Sequence, residues 1–272
     1  MGLRVVLVTG PRKSGKGAII RAMIDLLWQH RPHYMRLARN NGDKKPPSKL
    51  GLQTPEDWGL ASARWLMYDD DLIFERLPAA LTQIHAADRY GSVVVEADSD
   101  PIVRNAYPFD HRVFVMPTPC DLYEIFRTPE QAAAAMHAVL KDTTAFASEV
   151  FGLIDQGRML SEGDCNEKPD LSATQWRGFL YSPLGEELIT RILLQPPYHG
   201  LAESDVVIIN TGVGARSCST AKCISKLDCL LRKISTLTQR EVRRFACDLY
   251  AEPTPASREL LEVLAPMCQA GR

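Results

Sequence analysis

The residues Gly10-Pro-Arg-Lys-Ser-Gly-Lys-Gly17 fit the spacing G-x-x-x-x-G-K, directly after a short apolar run. That spacing suits a loop that wraps a polyphosphate. Glycine at Gly10 and Gly15 lets the backbone turn tightly, so that successive N–H groups point inward at an anion. A helix opening at Lys16 adds the positive end of its dipole, and Lys16 itself supplies an ammonium for the terminal phosphates. Arg12 and Lys13 make the loop still more basic, and Ser14 lies inside it, within reach of a phosphate. One position departs from the full pattern. Gly17 stands where a Ser or Thr usually ligates Mg²⁺, and Ala18 after it has no hydroxyl either.

A second chemical signal is the run Glu96-Ala-Asp-Ser-Asp100, which follows Val93, Val94 and Val95. A carboxylate at the end of a buried strand can hold Mg²⁺, a hard cation that accepts one carboxylate together with waters and phosphates. It can equally orient an acceptor hydroxyl for in-line transfer. Asp98 and Glu96 are the two candidates for both roles, ahead of Asp100, and the sequence does not choose between them. Asn210-Thr-Gly-Val-Gly214 closes a third apolar run; Asn210 there either reaches a nucleotide base or simply forms a turn. Arg36, Arg39, Lys44, Lys45 and Lys49 read either as a solvated loop or as a landing point for a phosphate-bearing acceptor. Arg127, Arg158 and Arg177 read as surface residues or as groups that neutralise a transferring phosphoryl.

These residues need a scaffold that brings strand ends together. The runs 4–9, 34–37, 92–96, 112–116 and 205–210 are short, apolar and rich in β-branched residues, and are expected to be buried strands. Helical spacing appears over 16–29, 60–87, 121–127, 129–154, 173–180, 185–194 and 221–237. The stretch 40–56 is rich in Lys, Pro, Asn and Gly and reads as a loop, and polar 157–170 as a lid-like insert. Strands alternating with helices imply right-handed crossovers and a parallel sheet covered on both faces, an α/β fold. Ligands in such sheets sit at the carboxyl ends of the strands, which is where Gly10, Glu96 and Asn210 fall.

Composition narrows the classes. With 32 Lys and Arg against 33 Asp and Glu, the net charge of −1 gives no global attraction to nucleic acid, and none is expected as a partner. Apolar residues make up 45%, yet no run approaches the length of a membrane span, so no membrane partner is expected. The seven cysteines are odd in number and scattered, with no C-x-x-C pair; ordinary burial in a reducing, cytoplasmic setting is the expectation. The histidines are dispersed without paired spacing, and the four tryptophans read as core or rim packing.

Four stretches together resemble P-loop kinases of the nucleoside monophosphate kinase type, guanylate-kinase-like members especially. They are VLVTGPRKSGKG at 6–17, VVVEAD at 93–98, VFVMPTPCDLYEIF at 113–126 and DVVIIN at 205–210. The resemblance implies a three-layer fold around a mostly parallel sheet of roughly five strands. It implies ATP, or another nucleoside triphosphate, with Mg²⁺, and a small-molecule acceptor bound after the second strand. On it Gly10, Gly15 and Lys16 hold the donor phosphates, and Arg39 touches an acceptor phosphate. The nucleotide domain would cover 1–237, followed by a helical extension over 238–272. A kinase is the first functional expectation. A nucleotide-driven switch, and a non-catalytic nucleotide-binding scaffold motivated by Gly17 and Ala18, are the alternatives.

Overall fold

The computed structural model describes residues 2–11, 13–40, 59–98, 100–117, 183, 199–212, 228, 231–232, 235–236, 239, 242–250 and 255–269. Within them the sheet has seven strands: β1 (Arg4–Thr9), β2 (His33–Arg39), β3 (Ser62–Tyr68), β4 (Ser92–Glu96), β5 (His111–Pro117), β6 (Val206–Asn210) and β7 (Arg243–Cys247). Their order is β3-β2-β4-β1-β5-β6-β7, and every neighbouring pair is parallel. The helices described in full are α1 (Lys16–Leu27), α2 (Ile73–Ala87), α3 (Pro101–Asn105) and α4 (Pro255–Cys268).

The apolar strands are buried on both faces, as their lack of alternation requires. Val6 and Val8 of β1 point into a core with Ile19, Ile20, Met23, Ile24 and Leu27 of α1 and Leu260 and Leu264 of α4. Val5 and Leu7 point the other way, into a core with Ile73, Leu77, Leu81 and Ile84 of α2 and Val103 of α3. The result is a three-layer α/β fold with the phosphate-loop strand at the centre of the sheet. Burial of each such aliphatic side chain contributes about 1.5–3 kcal/mol.

The sheet is two strands wider than the roughly five expected. Residues 62–68, expected to be helical, form edge strand β3, which needs only partial burial. The helix expected over 60–87 therefore begins at Ile73. The second extra strand lies in the segment expected to be a helical extension over 238–272. There Arg243–Cys247 joins the sheet beside β6, and Phe245 and Cys247 enter the same core as α1. α4 packs on that core too, and its Cys268 carbonyl accepts the Ser92 hydroxyl at 2.5 Å. The described part of 238–272 thus adds a strand to the sheet and a helix to the core on its α1 face.

The helices expected over 121–127, 129–154, 173–180 and 185–194 lie outside the described residues, as do the insert 157–170, most of the loop 40–56, and Arg12, Arg127, Arg158 and Arg177. Of the helix over 221–237, residues 228, 231, 232, 235 and 236 are described and are helical. No helix among the described residues is long and apolar enough to cross a membrane. Cys247 and Cys268 are buried free thiols, as expected for scattered cysteines.

Candidate functional site

β1 ends at Thr9 in the middle of the sheet, and the chain then turns sharply to start α1 at Lys16. Two glycines make the turn possible. Gly10 has φ +148°, and a Cβ there would sit 1.9 Å from the Val115 carbonyl oxygen of β5. Gly15 has φ +100°, and a Cβ there would sit 2.2 Å from Asn210 Nδ2. Lys13 between them adopts a left-handed φ of 63°, and its side chain is exposed. The Ala18 N–H donates to the Gly15 carbonyl at 3.0 Å, which opens α1 behind the loop. A strand, a glycine turn and a helix start are therefore assembled as an anion cradle requires.

Lys16 is buried, and its ammonium donates to the carbonyls of Gly10 at 2.7 Å and Pro11 at 2.9 Å. Its Nζ also lies 3.4 Å from Asp98 Oδ1. An ammonium has three protons, so the two loop carbonyls fix the side chain across the mouth of its own loop. Burial pulls the Lys16 pKa below its usual value; the nearby carboxylates of Asp98 and Glu96 work against that and favour the charged form.

The three acids after β4 separate cleanly. Glu96 is 4% exposed and takes a 2.5 Å hydrogen bond from the Tyr34 hydroxyl and a 3.0 Å ion pair from Arg36. Burial and the adjoining carboxylate push the Tyr34 hydroxyl far above its ordinary pKa, so Tyr34 stays a proton donor. Asp98 has a side chain 46% exposed and faces Lys16. Asp100 caps α3 by accepting the Ile102 N–H at 3.0 Å, and it also accepts the Tyr68 hydroxyl at 2.8 Å. Of the two candidates that the sequence left equal, Asp98 has the accessible carboxylate, whereas Glu96 is committed inside the protein.

Mg²⁺ would fit at Asp98, since one carboxylate beside a polyphosphate, completed by waters, satisfies its chemistry. The residues of α1 add no oxygen ligand there, because Gly17 and Ala18 lack hydroxyls. Among the described residues no three His, Cys, Asp or Glu side chains gather as a metal cluster. A phosphate-held ion with a single protein carboxylate is the arrangement these residues can support.

Asn210 takes the turn-forming one of its two expected roles, and Ser14 a role the sequence did not indicate. Asn210 is 0% exposed, and both ends of its amide are engaged within the protein. Nδ2 donates to the Ser14 carbonyl at 3.1 Å, while Oδ1 accepts the N–H groups of Gly212 at 3.1 Å and Leu249 at 3.3 Å. It ties the phosphate loop to the turns after β6 and β7 and does not reach toward a ligand. The Ser14 hydroxyl is shut beneath the loop, buried and without a hydrogen-bond partner. Ser14 meets neighbours through its backbone. Arg39, the expected acceptor contact, is exposed at the end of β2 and pairs with Asp70.

Sequence reasoning passed over Tyr34 and gave Trp65 only a packing role. Register explains both. Arg36 lies opposite Glu96 of β4 on one side and opposite Trp65 of β3 on the other. Its guanidinium carbon stands 5.2 Å from the Trp65 ring centroid. The alternation His33-Tyr-Met-Arg36 already placed Tyr34 and Arg36 on one face. That β3 would pair alongside was not legible.

No family model matches the chain, and no curated protein matches it. Comparison with solved structures finds a LAO/AO transport system kinase at 11% identity and a TM-score of 0.47, covering 97% of this chain and 59% of that one. HypB from Helicobacter pylori, solved with nickel, is 12% identical with a TM-score of 0.43, covering 100% of this chain and 91% of that one. An apo GTPase from Pyrococcus abyssi is 14% identical with a TM-score of 0.34, covering 97% of each chain. This chain spans about three fifths of the length of the first of these. Likenesses of this size add nothing to the reading of the site. On its own geometry, the chain has the P-loop layout: a central parallel strand, a glycine loop with its lysine, and a helix.

Proposed function

We propose that the protein binds a nucleoside triphosphate at Gly10–Gly17 and transfers its terminal phosphoryl group to a small acceptor, as an ATP-dependent kinase would. The observation that carries this reading is Lys16, fixed across the loop by Gly10 and Pro11 with Asp98 at 3.4 Å. Loop N–H groups, the start of α1 and the Lys16 ammonium would stabilise the phosphate charge. Asp98 would hold Mg²⁺ or orient the acceptor hydroxyl. The acceptor oxygen would form the new P–O bond as the bond to the leaving diphosphate breaks, and the acceptor proton would pass to a carboxylate or to water. Gly10, Lys13, Gly15, Lys16 and Gly17 are the proposed donor-nucleotide residues, with Ser14 and Asn210 shaping the loop from behind.

The test is γ-labelled ATP, and GTP in parallel, incubated with the full chain, Mg²⁺ and a panel of small hydroxyl and phosphate compounds. Label transfer or phosphate release that disappears in Lys16→Ala supports the reading; only background equal in both proteins removes it. A second reading is favoured by Gly17 and Ala18, which lack the usual Mg²⁺ hydroxyl: nucleotide binding without turnover. Tight binding of ATP that is insensitive to Mg²⁺ and produces no ADP would select it.

A further inference from the structure

Beside the phosphate loop, on the face of the sheet that carries α1, three side chains share one row across neighbouring strands: Trp65 on β3, Arg36 on β2 and Glu96 on β4. Tyr34, two residues before Arg36, points to the same face and enters the α1 core. Asp98, two residues after Glu96, continues the row toward Lys16 Nζ at 3.4 Å. The order along this shelf is therefore indole, guanidinium, two carboxylates and an ammonium.

Arg36 is held in an unusually defined way. Glu96 Oε1 is 3.0 Å from its Nη1, and the Trp65 ring lies 5.2 Å beneath its centre. Its side chain is nevertheless 19% exposed, so it is fixed but not sealed. A guanidinium has five N–H donors in a planar fork that matches a carboxylate or phosphate, and bonding to Glu96 and Tyr34 does not exhaust them. Stacking on indole and pairing with Glu96 remove most of the rotamer freedom that an anion would otherwise have to freeze. Stability alone gives little reason for the arrangement, since a largely buried ion pair is on balance about as stable as well-packed apolar side chains. Arg39 differs on each point: it is exposed, paired with Asp70, and offset by an odd number of residues from Arg36, hence on the opposite pleat.

We propose that Arg36, backed by Trp65 and braced by Glu96, is the seat for an anionic group, phosphate or carboxylate, on the second ligand that meets the bound nucleotide. This rests on the phosphate-loop reading above and makes the acceptor an acidic metabolite. It also transfers the acceptor contact from Arg39 to Arg36. The ligand's anion would rest on the guanidinium at the β2 end of the shelf, with its nucleophile directed along the shelf toward Asp98 and Lys16.

The test follows the indole N–H resonance of Trp65, assigned with Trp65→Phe, in ¹⁵N-labelled full-length protein. Inorganic phosphate and acetate are titrated separately, with Mg·ADP saturating so that the loop is already filled. The two arms distinguish a phosphate from a carboxylate ligand. The expected result is a saturable shift of the Trp65 resonance by one probe, with affinity falling about tenfold to a hundredfold in Arg36→Met. Arg36→Lys keeps the charge without the fork, and is expected to fall between the two; it serves as the test if Arg36→Met does not fold. No saturable shift with either probe, or a shift of equal affinity in the Arg36 variants, overturns the proposal. ADP titrated into the unaltered protein reports on the loop separately, so failure there counts against the nucleotide reading and not against the Arg36 seat.

Discussion

The side-chain amide of Asn210 donates to the backbone carbonyl of Ser14 at 3.1 Å, joining the end of β6 to the floor of the phosphate loop. Its oxygen meanwhile accepts from Gly212 and Leu249, so one buried side chain sets three turns. Asn210→Ala removes all of these at once and leaves the buried Ser14 carbonyl without its partner, at about 1–3 kcal/mol. Asn210→Asp keeps the two acceptor bonds but sets a carboxylate oxygen against the Ser14 carbonyl. Both variants are expected to lower the urea midpoint, and Asn210→Asp to weaken ATP binding more than its loss of stability alone would suggest. Unfolding curves and ATP titration on the same samples would show this. Unchanged stability in Asn210→Ala would mean that the amide is not the strut described.

The two loop glycines fail differently when substituted. In Gly10→Ala the new methyl meets the Val115 carbonyl, a backbone atom of a central strand that no side-chain rotation can move. That should cost on the order of 3 kcal/mol. In Gly15→Ala the methyl meets the Asn210 amide, so the expected outcome is loss of the clasp: a smaller fall in stability with a large fall in phosphate affinity. Equal effects of the two changes on both readouts would contradict this division.

The central strands and the phosphate loop were legible because their signals are local. An unbroken run such as Val93-Val-Val95 has to be buried on both faces, and a glycine turn between strand and helix has one common geometric use. The edges were not legible. β3 is a half-buried edge strand without an unbroken apolar run, and β7 is identified by pairing with β6 rather than by its own composition. The roles of the acids also depended on partners far away in sequence. Tyr34 is 62 positions from Glu96, and that distance decides which carboxylate is buried and which is left accessible.

That separation between Glu96 and Asp98 predicts two distinct phenotypes. Glu96→Gln leaves Arg36 without its counter-charge in a largely buried site and is expected to destabilise the fold by about 3 kcal/mol. Asp98→Asn removes an accessible carboxylate and is expected to change stability little. Its effect should appear instead as loss of the Mg²⁺-dependent part of ATP affinity, with binding in chelator retained. Calorimetric titration of ATP with and without Mg²⁺, alongside unfolding curves, separates the two. If Glu96→Gln abolishes the Mg²⁺ effect while Asp98→Asn does not, the assignment is reversed.

One buried and one half-buried histidine predict how stability depends on pH. His33, at the start of β2, bonds Ser62 Oγ through Nδ1 at 2.7 Å and has Asp88 Oδ2 3.4 Å from Nε2. Burial lowers its pKa, with Arg64 acting in the same direction and Asp88 against it. His111, at the start of β5, is lowered chiefly by burial and also by Arg4, against the pull of Asp205 and Asp110. A histidine whose pKa is lower when folded binds protons more readily in the unfolded chain. Its contribution is therefore complete above the unfolded value of about 6.5 and is lost as pH falls from there toward the folded value. Urea midpoints should drop between pH 7.5 and pH 5.5, a window above the ordinary range of free carboxylates. In the double variant His33→Asn, His111→Asn the drop should be visibly shallower, whatever its absolute stability. A slope identical to that of the unaltered protein would place the titrating groups elsewhere.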